Sequence, residues 1–190
     1  MISAILLAAG KSKRMIGENK LTKSLNGIPL INHSIDNILF SSIDELIIVL
    51  GYQKEIIEKL ITKNEKIKFI FNKDYESGMA SSIKIGLNSL SKKTEAFFIC
   101  LADMPMIKSS IYNQMIKARN QKDILIPICN KQKGNPVLFN KSMKKTLMNI
   151  NGDIGAKKVL EQNEDKIFNL EINDQGIFKN FDTQKDFNSL

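Results

Sequence analysis

Ser3-Ala4-Ile5-Leu6-Leu7-Ala8-Ala9-Gly10-Lys11-Ser12-Lys13-Arg14-Met15, with Lys20 shortly after, is the stretch that decides the fold. The apolar run over residues 2–8 reads as a buried strand, and it stops at two alanines and a glycine. Small residues let a backbone approach a ligand closely, and Gly10 tolerates a positive φ at no steric cost. Successive N–H groups in such a turn form an anion-binding nest. Lys11, Lys13, Arg14 and Lys20 add charge suited to a polyphosphate. A buried strand feeding a small, basic loop is how α/β proteins commonly hold a nucleotide. Neither G-x-x-x-x-G-K-[ST] nor G-x-G-x-x-G is present. An ordinary basic surface turn is the competing interpretation. The conjunction of Ala8-Ala9-Gly10 with Ser12, Arg14 and Lys20 on a first strand favours the phosphate site.

Outward from this stretch the chain alternates. Residues 45–50, 67–71, 96–101 and 124–128 read as strands. Helical spacing covers about 29–40, 53–63, 81–90 and 109–119, with Pro29 in a first turn, where its missing N–H does no harm. The wholly apolar strand at 96–101 suits a sheet covered on both faces. Such alternation predicts βαβ units, hence an α/β fold with a mostly parallel central sheet. From about residue 129 the pattern changes to a strand, a Gly134-Asn135-Pro136 loop and a short strand. Helices over about 140–148 and 154–162, strand-like runs at 166–172 and 177–181 and a last helical turn follow. With no repeat or linker, residues 1–190 are expected to form a single domain.

Composition narrows the class. A hydrophobic fraction of 43% with 25% charged residues is that of an ordinary globular chain. The net charge of +8 invites a nucleic-acid reading, but the lysines are dispersed, Trp is absent, and no aromatic/basic RNA-binding motif occurs. We expect no nucleic-acid partner, and the charge reads as a solvated surface with a local excess for a small anion. Residues 1–9 are too short to span a membrane and lack a basic leader, so no membrane association and a cytoplasmic location are expected. Cys100 and Cys129 fall in separate apolar strands and read as buried, reduced thiols. His33, the sole histidine, has no partners for a metal site or a triad.

Ligands of open α/β sheets bind beyond the carboxyl ends of the strands. Asp103 stands just past the apolar strand 96–101, where a carboxylate is costly away from the rim, and Pro105 fixes the turn beyond it. One or two carboxylates with phosphate oxygens and water suit Mg²⁺, and Asp182 is the second candidate. Helix capping or an Asx turn competes for both residues. Asn72 and the segment Gly78-Met79-Ala80-Ser81-Ser82 offer glycine for close approach, serine hydroxyls and helix N–H groups for a base or ribose. Ser81 or Ser82 serves equally as a helix cap, and Tyr75 and Met79 pack as readily as they touch a ligand. With no evident nucleophile, these elements suggest direct in-line transfer at phosphorus, catalysed by positioning and charge.

At this point the residues match a known pattern. The chain resembles the molybdenum cofactor nucleotidyltransferases of the MobA-like NTP transferase family, most closely the cytidylyltransferase branch. The L-A-A-G-x-S-x-R-M-G…K motif is matched by Leu7 to Met15 with Gly17 and Lys20, and G-M-x-x-S-[LI]-x-x-G-L by Gly78 to Leu87. D-M-P is Asp103-Met104-Pro105, G-H-P-V-L-F appears as Gly134 to Phe139, G-D-x-G-A-[RK] as Gly152 to Lys157, and D-T-P-E-D as Asp182 to Asp186. The departures are Ile16, an extra residue before Gly17, Lys23-Ser24 in place of Leu-Pro, Asn135 for His, and Gln184 for Pro.

The resemblance implies a three-layer Rossmann-like fold. It implies transfer of CMP from CTP to a molybdopterin-type cofactor, with release of pyrophosphate and dependence on Mg²⁺. Leu7, Ala8, Ala9, Gly10, Lys11 and Ser12 would hold the phosphates, and Asn72, Gly78, Ser81 and Ser82 the nucleoside. Arg14 and Lys20 would stabilise charge, and Asp103 with Asp182 would hold the metal. Asn135, Asp153, Gly155 and Lys157 would bind the acceptor, and a client molybdoenzyme is an implied partner. Alternatives are GTP as donor, a sugar-phosphate or isoprenoid-precursor acceptor, and a non-catalytic nucleotide-binding maturation factor for molybdoenzymes.

Overall fold

A computed structural model supplies the structure and describes residues 1–12, 15, 19–153 and 155–188. In chain order its elements are β1 (Ile2–Ala8), β2 (Ser24–Leu25), β3 (Ile28–Pro29), α1 (Leu30–Leu39), β4 (Glu45–Leu50), α2 (Lys54–Leu60), β5 (Ile67–Phe71), α3 (Met79–Ser89), β6 (Ala96–Leu101), α4 (Ser109–Ala118), β7 (Ile124–Cys129), β8 (Gln132–Lys133), β9 (Val137–Asn140), α5 (Lys144–Met148), α6 (Lys157–Gln162), β10 (Ile167–Glu171) and α7 (Gln184–Asn188). The main sheet runs β10-β7-β9-β6-β1-β4-β5, with β8 paired to β7. The β1/β4, β1/β6, β4/β5 and β7/β10 pairs are parallel, while β9 runs antiparallel to both its neighbours. This is an α/β fold with a mostly parallel central sheet.

Alternation along each strand sends side chains to opposite faces, and this builds three layers. Ala4, Leu6, Leu46, Ile48, Phe98 and Cys100 meet Ile31 and Ile35 of α1, Ile57 of α2 and Ile111 and Met115 of α4 on one face. Ile5, Ile47, Val49, Phe97 and Ile99 meet Ile83 and Leu87 of α3, Leu147 of α5 and Val159 of α6 on the other. Strands buried on both sides need continuous apolar runs, which is the pattern at 4–8, 46–50 and 96–101. At Gly86 in α3, a Cβ would lie 2.5 Å from Ile5 Cγ2, so the missing side chain lets α3 settle onto β1.

From β1 the chain builds outward through β4 to β5, then returns to place β6 on the other side of β1. Between β1 and β6 the connections depart in opposite directions, and a crevice opens at the carboxyl ends of these two strands. The loop after β1 and the Asp103 turn after β6 both border it.

Some elements differ from expectation. The run 177–181 is not a strand. Asp174 Oδ1 accepts the Gly176 N–H at 2.8 Å and starts a 3-10 turn over Gln175–Phe178. Its backbone pairs with loops instead, through Asn135 N to Ile177 O at 3.0 Å and Phe181 N to Asp103 O at 2.9 Å. The helix expected from 154 begins at Lys157, after turns at Gly152 and Gly155 with positive φ. The helix expected from 81 begins earlier, at Met79. Pro29 precedes α1 and closes a two-residue hairpin, β2–β3, around Asn26-Gly27, whose φ angles of 51° and 82° are those of a type I′ turn. Cys100 and Cys129 are buried and unpaired, and burial pushes the Cys100 thiol up to about 12. His33 Nε2–H donates to the Leu25 carbonyl at 2.8 Å, a structural role. Among the described residues no helix is long and apolar enough to cross a membrane.

Candidate active site

A cavity of about 690 Å³ occupies the crevice. It is lined by Leu7, Ala8, Ala9, Gly10, Lys11 and Ser12 from the end of β1, and by Lys20, Leu21, Leu101 and Asp103. Tyr75, Glu76, Ser77, Gly78, Met79 and Ser82 line the second side, and Asp153, Asn180 and Asp182 complete it. Thus the loop after β1, the turn after β6, the segment before α3 and the approach to α7 converge, although they are scattered over most of the chain.

The first loop is anchored at its base, where Ala102 N donates to Leu7 O and Tyr52 N to Ala9 O, both at 3.2 Å. Among the described residues of this loop the left-handed one is Ser12, with φ 52°, and not Gly10. Among the described residues nothing stands where a Cβ of Gly10 would lie, so its contribution is the room it leaves beside the backbone. Ser12 Oγ accepts the Lys20 N–H at 3.2 Å and donates to Asn19 Oδ1 at 3.5 Å. It thereby ties the two ends of the loop together. Arg14 and the extra residue Ile16 lie outside the described residues. Lys11 Nζ reaches across the mouth to Glu76 Oε1 at 2.5 Å and sits 5.9 Å from the Tyr75 ring centroid.

At the centre, Lys20 Nζ donates to Asp103 Oδ2 at 2.5 Å and to Asp182 Oδ1 at 2.6 Å. Burial disfavours the ammonium, but the Asp103 and Asp182 carboxylates outweigh it and raise the Lys20 pKa above the ordinary lysine value. The carboxylates are held from behind. Ser34 Oγ and Asn37 Nδ2 of α1 donate to the carbonyls of Ala102 and Pro105 on the Asp103 turn, at 3.1 and 3.0 Å. Asn180 Nδ2 donates to Asp182 Oδ2 at 2.7 Å. The Asp186 carboxylate accepts from Asp182 N, Thr183 N and Thr183 Oγ1 at 2.9, 2.6 and 2.9 Å. These bonds hold its pKa below the usual carboxylate range.

The nucleoside candidates divide. Ser82 and Gly78 line the cavity, whereas Asn72 and Ser81 do not. Asn72 is 2% exposed. Its Nδ2 donates to Ser81 Oγ at 2.8 Å and Ser82 Oγ at 2.9 Å, and its Oδ1 accepts from Asp74 N at 3.0 Å. An amide so engaged supports the first turn of α3, and the Asp74 turn before it, from beneath. Gly78 has φ 109°, and a Cβ there would stand 2.7 Å from the Gly152 carbonyl carbon and oxygen. The 152–153 turn clasps this glycine, since Ala80 N donates to Gly152 O and Met79 N to Asp153 Oδ1, both at 3.0 Å.

Of the acceptor candidates, Asp153 lines the cavity while capping α3. The others fall outside the lining. Gly155 packs against the Met79 thioether, Lys157 is 3.9 Å from Glu161 on exposed α6, and Asn135 donates its backbone N–H to Ile177. Sequence reasoning did not assign Leu21, Glu76, Ser77, Leu101 or Asn180. Glu76 and Ser77 lie between Asn72 and Gly78, which it did assign, and Asn180 stands two residues before Asp182.

The donor set fits a hard divalent cation. Two carboxylate oxygens converge on one cationic point, at N–O distances that must close by roughly half an ångström to meet the ~2.0–2.1 Å that Mg²⁺ requires. Among the described residues no group of three His, Cys, Asp or Glu side chains gathers. Two carboxylates, with the remaining positions left to phosphate and water, is the arrangement this ion accepts.

The chain was compared with known proteins. A family model described as the MobA-like NTP transferase domain matches residues 4–167. The molybdenum cofactor cytidylyltransferase of Escherichia coli is 28% identical over 187 residues, covering 98% of this chain and 93% of that protein. A probable molybdenum cofactor guanylyltransferase of Methanosarcina acetivorans is 30% identical over 129 residues, 66% of this chain; the chain spans little more than half, 56%, of that relative. Among solved structures, Rv0371c of Mycobacterium tuberculosis superposes with a TM-score of 0.88 at 20% identity, covering 98% of this chain and 95% of that one. The same protein has been solved in complex with manganese and superposes with a TM-score of 0.84 at 17% identity, covering 98% and 96%.

Proposed function

The chain belongs to the MobA-like NTP transferase domain family, and we propose that its 190 residues act as one domain transferring CMP from CTP to a molybdopterin-type molybdenum cofactor in the cytoplasm. The observation that carries this reading is the convergence of the basic loop after β1 with Lys20, Asp103 and Asp182 in one cavity large enough for a nucleotide. The near full-length similarity to a cytidylyltransferase supports the choice of acceptor and donor. A client molybdoenzyme would receive the product.

In the proposed reaction an acceptor phosphate oxygen forms a bond to the α-phosphorus of CTP. The bond from that phosphorus to the α,β-bridging oxygen breaks, and pyrophosphate leaves with the electron pair. The backbone of residues 8–12, with Lys11 and Arg14, binds the departing phosphates. Lys20 offsets charge on the α-phosphate as it redistributes. Ser82 and Gly78, held by Asn72, Ser81 and the 152–153 turn, bound the nucleoside. Asp153, which lines the cavity beside Gly78, would bind the acceptor together with Asn135, Gly155 and Lys157, which lie outside that lining. Asp103 and Asp182 would hold Mg²⁺, which when bound supplies charge neutralisation on phosphate oxygens. Catalysis is then positioning and electrostatic stabilisation, without a protein nucleophile.

Pyrophosphate release from each NTP, with molybdopterin-type cofactor and Mg²⁺, tests the reading. Turnover with CTP alone, lost by at least about 100-fold in Asp103→Ala while the fold persists, is the expected result. Turnover with GTP alone would favour the guanylyl reading that the Methanosarcina relative suggests. Tight nucleotide binding without turnover would make the protein a maturation factor.

A further inference from the structure

The point on which Asp103 Oδ2 and Asp182 Oδ1 converge holds the Lys20 ammonium, 2.5 and 2.6 Å away. An ammonium and a divalent ion cannot share it, because two cations would repel at contact distance with only two carboxylates between them. Lys20 is fixed at its backbone by Ser12 Oγ and by the 3-10 turn Lys20–Thr22 that it opens, while its ammonium rides on a flexible four-carbon stem. The loop 8–12, the proposed seat of the phosphates, borders the same cavity as that ammonium.

We propose that Lys20 is an exchangeable counter-ion. It neutralises the Asp103–Asp182 pair in the nucleotide-free protein and yields that pair to the divalent cation when a triphosphate offers the ammonium new anionic oxygens. This rests on the nucleotide and metal reading above and adds an order to it. Metal binds weakly to the empty protein, nucleotide strengthens it, and by reciprocity metal strengthens nucleotide. The exchange also balances charge. The carboxylate pair passes from one positive charge to two, and the released ammonium meets the phosphates.

The test uses Mn²⁺ as probe, with free ion followed by electron paramagnetic resonance, on the full chain with and without CTP and without acceptor. The expected result is that Lys20→Met binds Mn²⁺ about ten-fold tighter than wild type in the absence of nucleotide, and that the enhancement CTP gives to Mn²⁺ binding is several-fold smaller in this variant. Lys20→Gln repeats the test should the methionine variant fold poorly, and a larger Mn²⁺-induced rise in melting temperature than in wild type is a second readout. Asp103→Asn separates the two claims. If it loses Mn²⁺ while Lys20→Met binds no tighter than wild type, the metal assignment stands and the counter-ion proposal is overturned. If Asp103→Asn binds Mn²⁺ as wild type does, the metal assignment fails and the proposal falls with it.

Discussion

The same substitution at two glycines of the cavity should differ sharply in its cost to stability. Gly78 has φ 109° and ψ 174°, a conformation essentially reserved for glycine, so an alanine there costs about 1–3 kcal/mol in backbone strain. The new methyl also meets the Gly152 carbonyl group at 2.7 Å and Asp153 N at 2.9 Å. These are backbone atoms that cannot rotate aside, and overpacking of this kind adds about 1–3 kcal/mol. The sum, about 2–6 kcal/mol, is a large share of the ~5–15 kcal/mol typical of a folded domain. Because the 152–153 turn can lift away, the lower part of that range is expected, together with a distorted site. Gly78→Ala should lower the urea midpoint by about 1 M or more and raise KM for nucleotide. At Gly10, among the described residues beyond its chain neighbours, no atom lies within 4 Å of the position a Cβ would take, and φ is not in the left-handed region. Gly10→Ala should leave stability within about 0.5 kcal/mol of wild type yet raise nucleotide KM about ten-fold, because the methyl stands where a phosphate must approach the backbone. Urea unfolding and steady-state kinetics on both variants decide the matter. An unchanged midpoint in Gly78→Ala, or equal destabilisation in the two, would refute the clasp between residue 78 and the 152–153 turn.

Two further outcomes follow from the supports of the site. Asn72→Ala removes an amide serving Ser81, Ser82 and Asp74, so stability should fall by about 1–3 kcal/mol from the buried groups left unpaired; nucleotide KM should rise more than kcat falls, and an unchanged KM would reduce Asn72 to a purely structural residue. Asp186 has a depressed pKa in the folded protein, so its contribution is present above the ordinary Asp value of about 3.9 and is lost as pH falls through the lower folded value. Wild-type melting temperature should drop on acidification through that window more steeply than that of Asp186→Asn, and parallel curves would sink the argument.

Much of this was legible in the chain because the central strands are buried on both faces. Ala4 to Ala8, Leu46 to Leu50 and Ala96 to Leu101 are uninterrupted apolar runs, and such runs can be read without coordinates. The run at 177–181 misled for the same reason. Ile177, Phe178 and Phe181 have strand-like spacing, but the bond from Gly176 N to Asp174 is local chemistry that overrides it. At the site, Asp103 and Asp182 were identifiable from their positions past strand-like segments. That they share one partner, Lys20, was not, since it lies 83 residues from the first and 162 from the second. Asp153 shows the same limit. It stands just before the helix expected from 154, yet it caps α3, 74 residues earlier, because packing brought the two turns together.

The central claim is transfer at the α-phosphorus of CTP by this cavity. Incubation with CTP carrying label in the α-phosphate, molybdopterin-type cofactor and Mg²⁺ tests it most directly. The expected result is that the label moves onto the pterin cofactor, that pyrophosphate is released unlabelled in equal amount, and that Lys20→Ala lowers kcat more than it raises KM. Label recovered only as free CMP, or pyrophosphate release indifferent to the acceptor, would contradict it.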